Sequence, residues 1–324
     1  MKIAVLGNLR TMVPEGVVFP LGDDYWNDLD KPETIGAIVE ALRSLGHQVE
    51  FILPDEKIFD NLRSFSPDFV FNYAEMYFGS SREAQVPAIL DMMRIPYTGS
   101  GVVGMALTQH KAFTNQICKC AGINMPGFVL IENPEIVDTG DLTYPLFVKP
   151  AHQGSSIGIN QASKVNNRSE LEAQVYWLWD AYGEPVIIEE YISGRDINLG
   201  FIGGEALAFV EYIVPIGYYT LEYKEAKRPE VRRICPAEIP DDIAKEMISA
   251  GKTAIHELEV LDWCRMDFRI DEAGQYYLIE VNATSTLTEN GGFTSGAYGA
   301  GYADYKDVIG GILTSAVKRY AEKP

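Results

Sequence analysis

Carboxylate and amide side chains are interleaved with apolar residues in two short segments near the C-terminal end of the chain. These segments are residues 265–271 and 276–282, and four residues lie between them. If those four residues form the turn of an antiparallel hairpin, Asp271 pairs with Tyr276. The register of that hairpin decides which polar side chains meet on the same face, because side chains alternate between the faces of a strand.

The polar face of this hairpin is predicted to bring two carboxylates together. The register sets Asp267 opposite Glu280 and Arg265 opposite Asn282, with all four on one face. Opposed carboxylates repel, so either the arginines or a divalent cation must offset their charge. Asp, Glu and Asn oxygens are ligands that Mg²⁺ prefers, especially when nucleotide phosphates complete its octahedron. A solvated face carrying salt bridges is the alternative interpretation. The other face is predicted to be the core face and carries Met266, Phe268, Ile270, Ile279 and Val281.

A second candidate is the segment 149–158, where a lysine at the end of a predicted strand precedes small and polar residues. Glycine lets backbone N–H groups approach a phosphate closely, and the hydroxyls of Ser155 and Ser156 add donors. Lys149 supplies a positive charge that reaches phosphate oxygens. The segment is not a Walker P-loop, because the chain has no GxxxxGK[ST] pattern. An ordinary Gly/Ser hairpin tip is the alternative.

A third candidate is the predicted strand 186–192, which runs into residues 193–196. The backbone groups of an apolar strand edge can hydrogen-bond an adenine, and a nearby acid such as Asp196 can bind ribose hydroxyls. By itself this signal is weak.

The elements that must position these residues follow from the hydrophobic pattern. In the first hundred residues short apolar strands alternate with amphipathic helices, which predicts an α/β fold with a parallel sheet. The predicted strands there are residues 2–7, 49–53 and 68–72, and the helices are 33–45 and 83–93. Further helices are predicted at 107–121, 170–182 and 244–258, and a strand at 145–150. Residues 218–233 have no clean period and are predicted to be a long functional loop.

Composition bounds the class of protein. The chain has 324 residues, enough for two or three lobes, and a formal charge of −19. This charge argues against a nucleic-acid partner, which needs clustered cations. Its apolar runs are too short for a membrane span or a signal peptide. The four cysteines, Cys118, Cys120, Cys235 and Cys264, form no C-x-x-C pair, which favours free thiols in a reducing, cytoplasmic compartment.

Taken together and in this order, the segments resemble the ATP-grasp superfamily, and the D-alanine–D-alanine ligase family in particular. The similarity covers nearly the whole chain. It is densest in residues 95–101 with Lys111, 147–158, 189–196, 225–227 with 235–237, and 265–282. The resemblance implies an ATP-grasp fold with a Rossmann-like lobe (1–108) and two later lobes (109–192 and 193–324) that hold the nucleotide between them. It also implies an ATP-dependent ligase that joins a carboxylate to an amine through an acyl phosphate.

The resemblance implies roles for residues around the nucleotide. Lys111 and Lys149 match the two lysines that grip the ATP phosphates, and Ser155 and Ser156 lie in the loop that folds over them. Asp196 matches the acid on the ribose. The residues that match the linker reading adenine are Glu189, Glu190, Tyr191 and Ile192.

Other matches concern the metal and the chemical step. Asp267, Glu280 and Asn282 match the ligands of two Mg²⁺ ions, for which Mn²⁺ is a substitute. Arg265 matches the arginine that stabilises the oxyanion of the tetrahedral intermediate. Lys227 matches a lysine of a mobile loop that contacts the γ-phosphate or the incoming substrate. It is counted with Arg265 and Ser155 among the catalytic residues, and the loop 218–233 around it is a candidate lid.

The chain departs from the family pattern at the amino-acid end of the site. Arg228 stands where the family has Tyr, and Asn-Tyr-Ala-Glu, ending at Glu75, replaces a His-Gly stretch. Ser285 and Thr286 replace a Pro-Gly pair, and Glu15 is the candidate for binding an amine. These five are the predicted substrate residues, and Arg228 is predicted to pair with a substrate carboxylate.

The implied partners are small amino-acid or peptide substrates, with neither nucleic acid nor membrane, and homodimers are common in the resembled family. A ligase for L-amino acids, dipeptides or a specialised metabolite is the main alternative, favoured by Arg228 and the Ser285-Thr286 pair. A nucleotide-binding protein without ligase activity is disfavoured by the intact lysines and metal ligands. A dinucleotide-dependent oxidoreductase ranks last, because no GxGxxG follows the first strand.

Overall fold

The computed structural model describes residues 1–13, 24–220, 222–223 and 230–322, and three β-sheets organise them. The α/β class predicted from the alternation of strands and helices is confirmed. The candidates Glu15, Lys227 and Arg228 lie outside the described residues. Within the described residues, no helix combines the length and the apolar character needed to cross a membrane.

The first sheet is parallel, as predicted, with strand order β2-β1-β3. The central strand β1 and its neighbour β3 are almost entirely buried, as expected for nearly continuous apolar runs, whereas β2 alternates exposed and buried residues. They are β1 (Lys2–Gly7), β2 (Gln48–Ile52) and β3 (Phe69–Tyr73). The helices of this region are α1 (Pro32–Ser44), α2 (Ile58–Phe65), α3 (Gln85–Met93), α4 (Val102–Gln109) and α5 (Lys111–Cys120).

The prediction of a single helix at 107–121 is wrong, because the helix is interrupted at His110. That residue has an extended backbone (φ −97°, ψ 93°), so α4 ends before it and α5 starts after it. The hydroxyl of Thr114 donates to the carbonyl of Leu107, which holds the corner. The break makes Lys111 the first residue of a new helix and directs it toward the site.

The second sheet is antiparallel, with order β4-β7-β5-β6. Its strands are β4 (Phe128–Ile131), β5 (Leu146–Pro150), β6 (Lys164–Val165) and β7 (Val186–Glu190). Helix α6 (Arg168–Tyr182) covers one face, and its apolar side chains form a cluster of their own with the sheet.

The third sheet has the order β11-β10-β8-β12-β13, with β9 paired to β8. Its strands are β8 (Arg195–Ile202), β9 (Glu205–Ala206), β10 (Val210–Ile213), β11 (Arg232–Ile234), β12 (Trp263–Ile270) and β13 (Tyr276–Asn282). Three helices complete this part: α7 (Asp241–Glu257), α8 (Gly292–Gly299) and α9 (Tyr305–Ala321).

The first and third sheets are joined by one apolar core. Helix α9 packs against α1, and Trp263 of β12 stacks on Phe71 of β3 with ring centroids 6.0 Å apart. Arg319 of α9 pairs with the buried Asp262 at 2.7 Å. The second sheet has its separate cluster, so the cleft of the molecule lies between that sheet and the joined pair.

The hairpin register is correct at its open end and wrong near the turn. Asp267 pairs with Glu280 as predicted, but Ile270, not Asp271, pairs with Tyr276. A β-bulge at Ile279 absorbs the difference of one residue. The predicted core residue Ile279 therefore lines a cavity, and Leu278 is the buried residue in its place.

Candidate functional site

The acidic face of the β12–β13 hairpin is built around Asp267. Arg265 holds both of its oxygens, with Nε–Oδ1 at 2.7 Å and Nη2–Oδ2 at 2.9 Å. Asn198 donates to Oδ1 at 2.8 Å and Asn282 to Oδ2 at 3.3 Å. The arginine thus offsets the charge of this carboxylate, and the amide oxygen of Asn282 is left as a potential ligand.

Two lysines, one at the start of helix α5 and one at the end of strand β5, converge on this face. Lys111 Nζ lies 3.2 Å from Glu280 Oε1 and also donates to the carbonyl oxygen of Gln153. Burial by itself raises the pKa of Glu280, but Lys111 and Lys149 outweigh it, and the pKa of Glu280 is lowered. Glu280 is therefore ionised at neutral pH and remains available to a metal ion.

Lys149 is held by a buried ion pair at the end of β5. Its Nζ lies 2.8 Å from Glu189 Oε2, with each side chain less than 5% exposed. Burial lowers the pKa of this lysine, but Glu189 and Glu280 outweigh it and the pKa is raised. Asn115 donates to the other oxygen of Glu189 at 2.9 Å. The side chain of Glu189, predicted to lie in the adenine linker, therefore orients Lys149.

A cavity of about 140 Å³ beside Lys149 is lined by aromatic and aliphatic side chains, by charged side chains and by the end of β7. Glu190, Tyr191 and Ile192 all border it. The carboxylate of Glu190 accepts from the N–H of Gly127 at 3.0 Å, and the Tyr191 ring stacks on Phe147. The bulge residue places its side chain here as well. A cavity with aromatic side chains and strand-end backbone groups in its lining is suited to a purine base.

Asp196 borders the same cavity, at the start of β8 and across from Arg269. Burial raises its pKa from 3.8 to about 6, and the guanidinium of Arg269 partly opposes that rise. A carboxylate at this position can accept hydrogen bonds from hydroxyl groups of a ligand.

The loop after β5 faces a larger cavity of about 890 Å³, which also borders Lys111, Lys149 and Asp267. Ser155 and Ser156 both lie in the left-handed region, with φ of 51° and 62°. Backbone in such a conformation turns N–H groups toward one side, as anion-binding loops require.

Asp24, which precedes the short 3-10 helix Tyr25–Asp28, tethers this loop. Its Oδ2 accepts from the N–H of Gly158 at 3.1 Å, and its Oδ1 accepts from the hydroxyl of Tyr182 at 2.7 Å. Asp24 thereby fixes the position of the loop after β5, residues 151–158, which is called the glycine-rich loop below.

Of the predicted substrate residues that the structure describes, two border a cavity and the third, Ser285, does not line it. Glu75 is buried and borders a small cavity beside the acidic face, and Thr286 borders that cavity too. Ser285 is 1% exposed, and its hydroxyl has no hydrogen-bond partner in the described part of the chain.

Among the residues of this small cavity that sequence reasoning missed are Asp28, Glu83 and Gln109. They come from a 3-10 turn, a second short turn and the end of α4. No spacing along the chain connects them, so only the fold brings them together.

The chain is similar in sequence and in fold to known proteins. A family model described as the C-terminus of D-ala D-ala ligase matches residues 117–314. The uncharacterized protein y4sG of Sinorhizobium fredii is 30% identical over 300 residues, 88% of this chain and 87% of that protein. The D-alanine–D-alanine ligase of Alcanivorax borkumensis is 32% identical over 286 residues, 88% of each. The structure of D-alanine–D-alanine ligase from Bacillus anthracis complexed with ATP aligns over all of both chains, with TM-score 0.78 and 19% identity.

Proposed function

Because the chain belongs to the D-alanine–D-alanine ligase family of ATP-dependent, carbon–nitrogen bond-forming enzymes, we propose that it joins a small amino-acid or peptide carboxylate to an amine. ADP and phosphate are the other products. The observation that carries this proposal is the convergence of Lys111, Lys149 and the Asp267–Glu280 face on one cleft.

The first step is the attack of a substrate carboxylate oxygen on the γ-phosphorus of ATP, with ADP as the leaving group. Lys111 and Lys149 lie where they neutralise the phosphate oxygens during this transfer. The left-handed backbone at Ser155 and Ser156 adds N–H and hydroxyl donors. Lys227, outside the described residues, is proposed to reach the γ-phosphate from the loop 218–233.

In the second step the amine attacks the carbonyl carbon of the acyl phosphate, phosphate leaves, and the amine nitrogen loses a proton. Arg265 borders the cleft and is proposed to stabilise the oxyanion that forms. Water must be excluded, because it would hydrolyse the acyl phosphate.

The acidic face fits Mg²⁺. Asp267, Glu280 and Asn282 present hard oxygens on one side of the hairpin, and two of them already face the cations Arg265 and Lys111. These three residues are proposed to hold two Mg²⁺ ions, with Mn²⁺ as a substitute. When bound, the ions supply positive charge to the phosphate oxygens of ATP.

ATP is proposed to place its adenine in the cavity bordered by Glu190, Tyr191 and Ile192, with its ribose at Asp196. Glu189 acts there through Lys149. The residues proposed to border the amino-acid substrates are Glu15, Glu75, Arg228 and Thr286. Ser285, which is buried, is proposed to act on the substrate site indirectly, through the position of its neighbour Thr286.

The test is ADP release from the purified chain with ATP, Mg²⁺ and pairs of amino acids, D-alanine included. We expect release that depends on the amino acids, and its loss in Lys149→Met. ATP binding without ADP release for any pair would refute the ligase. Full activity with D-alanine alone would assign the substrate of the Alcanivorax borkumensis relative. A preference for other acids would favour the alternative, a ligase for L-amino acids, dipeptides or a specialised metabolite.

Two further properties are proposed from the family alone. The enzyme is assigned to the cytoplasm, where ATP and free thiols are found. A homodimer is the assembly to test by sedimentation.

A further inference from the structure

The small cavity beside the acidic face has a volume of about 60 Å³. It adjoins the larger cavity of about 890 Å³, with which it shares Ser155, Arg265 and Glu280, so a small ligand held here can extend into the larger space. One end is lined by Asp28, Glu75 and Glu83, and the other by Arg265 and Glu280. A ligand here would have one end at the acids and the other at the reacting face.

The three carboxylates at the first end carry more negative charge than nearby cations offset. They each place an oxygen within 4.8 Å of the others. Asp28 forms an ion pair with Arg82, and Lys111 forms one with a carboxylate of the acidic face. This leaves Glu75 and Glu83, which share a hydrogen bond, at the cavity, with two nearby cations that are each also paired with another carboxylate.

The raised pKa values of Glu75 and Glu83 agree with a surplus of negative charge at this end of the cavity. Burial raises the pKa of Glu83 to about 7, with Arg82 and Lys111 opposing the rise and Asp28 adding to it. Burial, followed by Asp28 and Glu83, raises the pKa of Glu75 well above its ordinary value, and Arg82 only partly opposes this. His152 adds no positive charge, because burial lowers its pKa to about 4. A cationic ligand would let both carboxylates ionise.

A second, independent feature points to a ligand with an oxygen acceptor. Gln109 borders the same cavity and is only 5% exposed. Its Oε1 accepts from the N–H of Glu83 at 3.2 Å, but its Nε2 has no hydrogen-bond partner among the described residues. A buried donor without an acceptor costs about 1–3 kcal/mol. A ligand oxygen would remove that cost, and a metal ion would not, since Nε2 cannot ligate one.

We propose that Glu75, Glu83 and Gln109 form a subsite for a small diamino carboxylic acid. Its two ammonium groups face the two carboxylates, and its carboxylate lies between Gln109 and Arg265. A single ammonium would neutralise one carboxylate and leave the other as an unpaired buried charge or a protonated acid. This inference rests on the proposed function, because it takes that carboxylate as the group activated by ATP.

The test uses hydroxylamine as the amine, so that the natural acceptor is not needed. Its nitrogen attacks the acyl phosphate, phosphate leaves, and a hydroxamate is formed. The matched substrates are 2,4-diaminobutanoate and homoserine, which differ in having an ammonium or a hydroxyl at the end of the side chain. Both enantiomers of each are assayed. We expect kcat/KM for the diamino acid to exceed that for homoserine at least about tenfold, which corresponds to about 1.4 kcal/mol.

Glu83→Gln and Glu75→Gln should each bring this ratio toward one, through KM for the diamino acid, with KM for ATP unchanged. Glu56→Gln is the matched control, because that glutamate is exposed in the same lobe. Equal or better use of homoserine, or a ratio unaffected by Glu83→Gln, overturns the inference and leaves the ligase intact.

Isothermal titration calorimetry decides two further cases: no hydroxamate is formed with any acid, or the cluster binds a metal ion instead. If no acid gives hydroxamate, the proposed function fails. Titration of the wild type with the two acids then decides the inference, and equal binding overturns it. Titration with Mn²⁺ without nucleotide tests a metal ion instead: a binding site lost in Glu83→Gln would assign the cluster to a cation and overturn the subsite.

Discussion

Replacing Asp196 with Asn should stabilise the folded protein at neutral pH and weaken the use of ATP. The carboxylate has a pKa of about 6 in the fold, against an ordinary value of 3.8, because burial disfavours its charge. Between these values the folded state holds a proton that the unfolded state has lost. The free energy of unfolding therefore falls as pH rises through this window, and it stays lower above it.

The magnitude follows from the two pKa values. At about 1.4 kcal/mol per pH unit, their difference corresponds to a cost of about 3 kcal/mol at pH 8 as an upper bound. Partial exposure of the side chain reduces this, and a gain of about 1–3 kcal/mol is expected for Asp196→Asn. The gain should grow by about 1 kcal/mol between pH 5 and pH 8, as the wild-type carboxyl ionises.

The assay is urea unfolding of wild type and Asp196→Asn from pH 5 to pH 8, above the isoelectric point of about 4.6. Asp60→Asn, at an exposed position of α2, is the control for a change of net charge. KM for ATP should rise in Asp196→Asn alone, because the ribose hydroxyls exchange a charged acceptor for a weaker, neutral amide oxygen. A difference in stability that is independent of pH, or a loss of stability at pH 8, would refute the reasoning.

Three further changes test the architecture around the site. Glu189→Gln should lower the free energy of unfolding by about 3 kcal/mol, since it leaves Lys149 as an unpaired buried charge. Adding Lys149→Met should recover part of this lost stability. If urea unfolding shows no recovery in the double variant, the pairing is contradicted. Gly194→Ala should destabilise by at least about 2 kcal/mol, because φ is 137° and a Cβ would lie 2.0 Å from a carbonyl oxygen of β12. Gly183→Ala, at φ 62° with open space around it, should lower the free energy of unfolding by only about 1 kcal/mol, and thermal melts of the two glycine variants compare these effects. Asp24→Ala should raise KM for ATP several-fold with little change in kcat, because it frees the glycine-rich loop; an unchanged KM in steady-state kinetics would show that the tether is not needed.

Local pattern was sufficient for much of the fold. The parallel first sheet follows from apolar runs alternating with amphipathic helices, and the pairing of Asp267 with Glu280 follows from the period-two alternation of a hairpin. The family membership follows from several motifs in order, which similarity to known ligases confirms. These signals are readable because each depends on residues close together in the chain.

The errors arose where tertiary contacts overrode local pattern. A continuous helix was predicted through His110, but a corner there aims Lys111 at the acidic face. The sequence predicts an unbroken hairpin, but a bulge places Ile279 at the cavity beside Lys149 and Leu278 in the core. Both departures cost regular hydrogen bonding, and both serve the site.

The sequence by itself determined the class of enzyme, since the lysines and the acidic hairpin are visible as motifs. Only the tertiary structure decided what surrounds the small cavity, because Glu75, Glu83 and Gln109 come from separate loops and a helix end. Their burial creates the surplus of negative charge and the unpaired donor. Charge and exposure at such a point depend on every element packed around it, and no spacing along the chain encodes that sum.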